Sequence, residues 1–190
     1  MNELSASLTV SAEAAARRLL GATLTRTFGT RTSIVRIVET EAYDQTDEAS
    51  HSYRGPSKRT AVMFGPAGYL YVYFIYGKHY CCNVVTGSIG QGAAVLIRAV
   101  EIVEGRSLMQ AFRPGKQGTM LTNGPAKLCQ ALDIQGSMNG HDLSKSPLRL
   151  ELRELLPGER IVVTSRVGLG RAVDTPWRFY IADNKYVSRM

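Results

Sequence analysis

Several segments with the two-residue alternation and the β-branched or aromatic enrichment of strands are joined by connections too short for a crossover. Ala22–Phe28 and Ser33–Tyr43 meet across Gly29-Thr30. Tyr69–Ile75 and Tyr80–Thr86 meet across Tyr76-Gly-Lys-His79, and Ala93–Val100 follows a glycine-rich turn that begins at Gly87. Strands joined so closely must run antiparallel, because a parallel pair needs a connection of a dozen or more residues. Leu148–Leu152 and Arg160–Arg166 add late strands, Gly168-Leu-Gly170 turns, and Trp177–Tyr180 closes the chain. Two helices flank this pattern. Ser11 caps Ala12–Leu20, which Gly21 stops, and Pro125 in Asn123-Gly-Pro starts Ala126–Leu132. The expectation is an α+β fold, one mixed domain spanning 1–190 around a curved antiparallel sheet. Between the hairpins, Asp44–Gly68 is polar and broken by Gly55-Pro56 and Gly65-Pro66. A loop this long inside a compact domain tends to carry function.

With 190 residues, 44% of them hydrophobic, the chain can bury one sizeable core. Its three cysteines, two of them adjacent, form no disulfide framework and lack the spacing of a zinc knuckle, so Cys81, Cys82 and Cys129 are expected to be buried thiols. The first residues lack a signal-peptide pattern, and no apolar run approaches the roughly 18 residues of a membrane span. A soluble intracellular protein is expected, in the cytoplasm or nucleoid of a bacterium or the nucleus of a eukaryote, with no membrane partner. The net charge of +7 favours an anionic partner, nucleic acid ahead of a membrane surface.

Chemistry concentrates where carboxylates meet tyrosines. Glu39-Thr-Glu-Ala-Tyr43 precedes Tyr69-Leu-Tyr-Val-Tyr-Phe-Ile-Tyr76 and Asn83. Tyrosine offers a stacking face and a phenol, and a carboxylate can take a proton from water. On a strand Glu41 and Tyr43 project together, as do Tyr71 and Tyr73, so a slot for a flat ring would have Tyr43 and Tyr73 as walls and Glu41 at its rim. The same tyrosines would also serve ordinary strand packing. Glu39 shares the parity of Glu41, which allows a paired-carboxylate carbohydrate hydrolase; yet residues two apart on one strand cannot flank a scissile bond from both sides, and Glu39 is expected to be structural. Arg98, within an otherwise apolar strand, is a core ion pair or a site residue. His51 lies in the polar loop, where histidines are commonly surface groups, and Asn83 in a buried strand must be hydrogen-bonded or functional. Lys127, at the start of a helix, could hold a phosphate. A noncatalytic nucleic-acid-binding module would keep the basic charge and tyrosines without needing Glu41.

At these residues the chain resembles the alkyladenine (3-methyladenine, or methylpurine) DNA glycosylase family. The resemblance is carried by Arg36-Ile-Val-Glu-Thr-Glu-Ala-Tyr43, Asp47-Glu-Ala-Ser-His51-Ser, Leu70-Tyr-Val-Tyr-Phe-Ile-Tyr76-Gly, Asn83, Val95-Leu-Ile-Arg98-Ala, Asn123-Gly-Pro-Ala-Lys-Leu-Cys-Gln-Ala131 and Arg166-Val-Gly-Leu-Gly170. It implies a monofunctional glycosylase of base excision repair that flips 3-methyladenine, 7-methylguanine, hypoxanthine or ethenoadenine out of double-stranded DNA and hydrolyses the N-glycosidic bond. Glu41 would activate the water and Arg98 would lie close to that water and the target phosphate. Tyr43, His51 and Tyr73 would enclose the base, Asn83 would disfavour the 2-amino group of guanine, and Tyr76 would fill the space the nucleotide leaves. Lys127, Lys58 and Arg59 are candidates for the DNA backbone. No cofactor or metal is implied, and a monomer is expected. The implied fold is similar to the formyltransferase C-terminal domain. The stretch between Glu41 and His51 is one residue shorter than in relatives of this family.

Overall fold

The computed structural model describes residues 2–188. Its strands are β1 (Thr23–Phe28), β2 (Arg31–Tyr43), β3 (Leu70–Ile75), β4 (His79–Val85), β5 (Ala94–Glu104), β6 (Leu148–Glu151), β7 (Ile161–Thr164) and β8 (Arg178–Ile181). Its α-helices are α1 (Glu3–Leu8), α2 (Ala12–Arg18), α3 (Arg106–Phe112) and α4 (Pro125–Ala131). All strand pairings are antiparallel, in the order β3-β4-β5-β2-β1-β6, with β8 joined to both β2 and β7. The sheet curls strongly, and the fold is mixed α+β as its alternating segments predict.

Strand β2 is the spine. One edge pairs with β5 from Ile34 to Tyr43; the other pairs first with β1, from Arg31 to Arg36, then with β8 at Glu39–Glu41. The handover falls at Ile37, whose N–H and C=O bond Ala22 and Gly21. Beside it the β2–β5 ladder slips twice: Val38 has no partner between the Ile37–Val100 and Glu39–Ala99 pairs, and Arg98 none between Glu39–Ala99 and Thr40–Ile97. An extra residue in a ladder bends the strand and re-aims its side chain. Here it brings Arg98 to two carboxylates at once.

The two faces of the sheet are used differently. On one, small residues let α2 approach β2: Ala15 and Ala16 are fully buried, and the Thr40 hydroxyl donates to the carbonyl of Ala16 at 3.0 Å. Alternate residues of β3 to β5, Val72, Cys82 and Val95, join α4's Leu128 and Cys129 in this main core. On the other face Met63, Tyr71, Val85 and Ala94 form a smaller cluster, with Phe64 and Tyr73 packed against it. The 44–68 segment covers that face. It contains one 3₁₀ turn, Ala61–Phe64, and is tied down at Gly92, whose N–H donates to Gln45 at 2.9 Å and whose carbonyl accepts from Ser52 at 2.6 Å.

The expected elements are present with shifted ends, and β5 runs on to Glu104. Two short helices, α1 and α3, escaped the sequence reading because neither carries a periodic apolar stripe long enough to stand out. All three cysteines are free and buried. Among the described residues no helix is long and apolar enough to cross a membrane.

Gly92 allows the covering segment its close approach, since a Cβ there would lie 2.5 Å from Phe64 and 2.6 Å from the Cβ of Ser52. Gly92→Ala is expected to cost about 2 kcal/mol of overpacking, or roughly 4–8 °C in melting temperature. A thermal melt checks this; an unchanged midpoint would mean that the segment yields without strain.

Candidate active site

Glu41 is fully buried. The slip in the ladder delivers Arg98 beside it, with Nη1 3.2 Å from Glu41 Oε2. The same oxygen accepts from the Tyr43 hydroxyl at 2.8 Å, and Oε1 accepts from the backbone N–H of Val167 at 2.7 Å. Three donors thus meet one carboxylate, and hydrogen bonds to an ionised group are the strong ones. Burial by itself would lower the pKa of Arg98, but the charges of Glu41 and Glu39 outweigh it and hold the guanidinium protonated. Burial, and then the charge of Glu41, push the Tyr43 phenol well above its ordinary range, so it stays protonated and donates. This corrects the expectation that Glu41 stands at the rim of the slot. It lies behind Tyr43, because the strand carries it beneath the 166–170 turn.

In front of Tyr43 opens a cavity of about 140 Å³ whose walls include Tyr43, Tyr73, Tyr71, His51, Asn83 and Leu169. It is smaller than the roughly 300–1,000 Å³ of drug-sized pockets and suits a single fused ring rather than a whole nucleotide. Tyr71 and Tyr73 stack with their centroids 5.7 Å apart, and the His51 ring meets Tyr73 edge-on at 4.6 Å. Asn83 donates from Nδ2 to the Tyr71 carbonyl at 3.2 Å, which fixes its amide against β3.

His51 keeps one side open to solvent while its ring edge is wedged among tyrosines. Its Nδ1 lies 3.0 Å from the Tyr71 hydroxyl, and Arg59 reaches Nε2 at 3.4 Å. Burial of that edge, then the charge of Arg59, bring its pKa down to about 4. A guanidinium can only donate, so Nε2 accepts and Nδ1–H donates to Tyr71. His51 is therefore neutral at pH 7.

A second buried ion pair closes the back of the site. Arg166 binds Asp47 through both terminal nitrogens, one at 3.0 Å, and also donates to the carbonyl of Ala42 at 3.0 Å. Its guanidinium lies over Tyr43 at 4.8 Å and Trp177 at 5.5 Å. One side chain thus joins the loop that carries His51, the end of β2 and the 166–170 turn that supplies the Val167 N–H.

The structure brings Tyr43, His51, Tyr73 and Asn83 into one cavity, with Glu41 and Arg98 behind it. Tyr76 stands at the tip of the β3–β4 hairpin, 83% exposed. Arg59 lies over Tyr73 at 5.7 Å, and Lys58 is exposed on the same loop. Lys127 is set apart: α4 packs in the main core on the other face of β4 from Asn83, and its ammonium lies 2.7 Å from the Asn123 side chain. Glu39 is also fully buried, and Arg98 bridges it to Glu41, so the two carboxylates cannot stand on opposite sides of a sugar. Sequence reasoning assigned no role to Tyr71, whose parity with Tyr73 was the available signal, nor to the Asp47–Arg166 pair, whose partners are separated by 119 positions. Among the described residues no three His, Cys, Asp or Glu side chains gather as a metal site.

A curled antiparallel sheet thus holds an aromatic slot against an arginine-bridged carboxylate. The chain matches the family described as methylpurine-DNA glycosylase (MPG) over residues 6–185. It is 51% identical over 175 residues to a protein of Carboxydothermus hydrogenoformans, covering 92% of each chain. A protein of Methanoculleus marisnigri is 53% identical over 162 residues, 83% of this chain and 84% of that one. One from Francisella tularensis is 45% identical over 192 aligned positions, the full length of both. All three carry "3-methyladenine DNA glycosylase" in their names. The chain belongs to the methylpurine-DNA glycosylase family: it is a DNA glycosylase, a hydrolase of N-glycosyl bonds that acts in DNA repair.

Asp47→Asn would leave the Arg166 charge buried without its counter-ion. Breaking such a pair costs about 3–5 kcal/mol, and urea denaturation of the variant is expected to show a loss of that size. A change below about 0.5 kcal/mol, the size of an ordinary surface substitution, would show that Arg166 is held by its carbonyl and ring contacts alone.

Proposed function

We propose that this glycosylase extrudes an alkylated or deaminated purine from double-stranded DNA into the Tyr43–Tyr73 slot and hydrolyses its N-glycosidic bond with water activated by Glu41. The observation that carries the reading is the pairing of a base-sized aromatic cavity with a fully buried carboxylate directly behind one of its walls, joined to it by the 2.8 Å Tyr43–Glu41 hydrogen bond. Flipping costs a few kcal/mol of stacking and pairing, least at damaged bases, so the duplex contributes to selection. 3-Methyladenine and 7-methylguanine carry positive charge and gain cation–π attraction from the tyrosine faces. These bases already leave readily. Hypoxanthine and ethenoadenine are neutral and depend on protonation. In this reading Glu41 removes a proton from water as it attacks C1′, while Arg98, paired with Oε2 at 3.2 Å, holds the carboxylate in place. Asn83, held to β3, filters the 2-amino group of guanine. The cavity walls include no lysine to form a Schiff base, which supports a monofunctional hydrolase.

Tyr76 supplies the wedge. It sits at φ +53 with Gly77 at φ +63, so the first two residues of the three-residue connection from Ile75 to His79 are left-handed, and the N–H of Lys78 donates to the Ile75 carbonyl at 3.2 Å. A tyrosine in that conformation costs about 1–2 kcal/mol relative to glycine. An exposed aromatic held under strain beside the cavity, one residue after Ile75 of its lining, suits insertion between bases.

Two experiments test these roles. Glu41→Gln preserves shape and removes the base, so single-turnover excision from a hypoxanthine or 7-methylguanine duplex should fall roughly 100-fold or more with lesion binding retained. A rate within a few-fold of wild type would overturn the assignment. Tyr76→Ser should weaken the fluorescence change that accompanies extrusion of ethenoadenine, while nonspecific affinity and its salt dependence stay the same. Loss of general DNA affinity with normal flipping would make Tyr76 a surface contact instead.

A further inference from the structure

Glu39 is a buried charged group that the proposed mechanism leaves unused. Glu39 Oε1 accepts from Arg178 Nε at 2.7 Å, from the Ser188 hydroxyl at 2.9 Å and from Arg98 Nε at 3.2 Å, while Oε2 accepts from the Ser188 N–H at 2.7 Å. Arg178 also donates to the Ser188 carbonyl at 3.2 Å, and the Ser188 hydroxyl is reached by Arg98 Nη2 at 3.4 Å. Glu39, Arg178 and Ser188 are all buried. A neutral core ion pair would need only Glu39 and Arg178. The additional tie to Arg98, and the Ser188 hydroxyl set between Glu39 and Arg98, act on the guanidinium that touches Glu41.

We infer that Glu39, locked by Arg178 and Ser188, is a positioning residue: it holds Arg98 by Nε so that Nη1 is aimed at Glu41 Oε2. A guanidinium is planar and its donors form a rigid fork, so fixing Nε and Nη2 leaves Nη1 one direction. Electrostatics follow from the same contact. Arg98 divides its charge between two carboxylates, and Glu39 itself repels a negative Glu41. The groups facing Glu41 are Glu39 and Tyr43 on β2, Arg98 on β5, Arg178 opposite it on β8, Tyr73 on β3, and the Val167 N–H with Arg166 behind Tyr43. Glu39 is the one carboxylate in that set. Removing its charge frees Nε of Arg98 and lets the guanidinium turn away from the one direction that meets Glu41 Oε2. This inference rests on Glu41 as the general base.

The test is single-turnover excision of a 7-methylguanine duplex as a function of enzyme concentration, for wild type, Glu39→Gln, Ser188→Ala and Glu41→Gln. Glu39→Gln is expected to lower the maximal rate roughly 10-fold, with half-saturating enzyme concentration unchanged. Ser188→Ala loses only the hydroxyl, and should lower the maximal rate several-fold at unchanged half-saturation and near wild-type melting temperature. Should Glu39→Gln fail to fold, Ser188→Ala decides the matter by its maximal rate. Wild-type maximal rates in both variants, with Glu41→Gln inactive, would reduce the cluster to a structural ion pair and overturn the inference alone. Excision by Glu41→Gln at the wild-type rate would instead overturn the reading on which it rests.

Discussion

The shared guanidinium of Arg98 is the contact on which site and fold both depend. Two carboxylates buried two residues apart on one strand repel each other, and each loses the solvation of water. Such a pair survives in a core only if cations and hydrogen-bond donors surround it. Arg98, Arg178, the Val167 and Ser188 amides and the Tyr43 hydroxyl meet that demand, and they come from β5, β8, the 166–170 turn, the end of the chain and β2 itself. The cluster therefore requires β5 and β8 to flank the same stretch of β2. A rearrangement of that local topology would strand a charge.

The ladder slips beside Glu39 belong to the same requirement. In a regular ladder side chains alternate strictly, and a one-residue shift sends a whole segment to the other face. Leaving Val38 and Arg98 unpaired changes the phase over a few residues only. Hydrophobic side chains on either side still reach the core that α2 and α4 cover, while Arg98 turns to the carboxylates.

The aromatic slot is assembled from less regular parts. Tyr71 and Tyr73 are set by β3, but His51 and Arg59 arrive on a loop that has no strand or α-helix of its own. Its placement comes from polar ties: Asp47 to Arg166, Ser52 and Gln45 to Gly92, and the His51–Tyr71 hydrogen bond. Such ties are directional and specify a geometry, whereas apolar contact alone would tolerate sliding. The imidazole that results is held at both nitrogens, by Tyr71 and Arg59, with its ring edge-on to Tyr73 at the slot.

The local pattern of residues by itself determined the hairpins, because alternation and turn chemistry are properties of adjacent positions. It also placed Glu41 with Tyr43 and Tyr71 with Tyr73 on common faces, and the run of motifs around them was sufficient to reveal the family. It did not determine depth. Glu41 reads as a rim group along the strand and lies buried behind the Tyr43 wall in the fold, since burial depends on what the 166–170 turn lays over it. Nor could spacing resolve the two readings of Arg98, an ion pair and a neighbour of the site; the folded chain makes it both. The Asp47–Arg166 clamp, the anchoring of Glu39 by Ser188 and the separation of Lys127 from the slot were decided only by tertiary structure. Each depends on which strands become neighbours, and that choice is made by burying a common core rather than by any local preference of the residues involved.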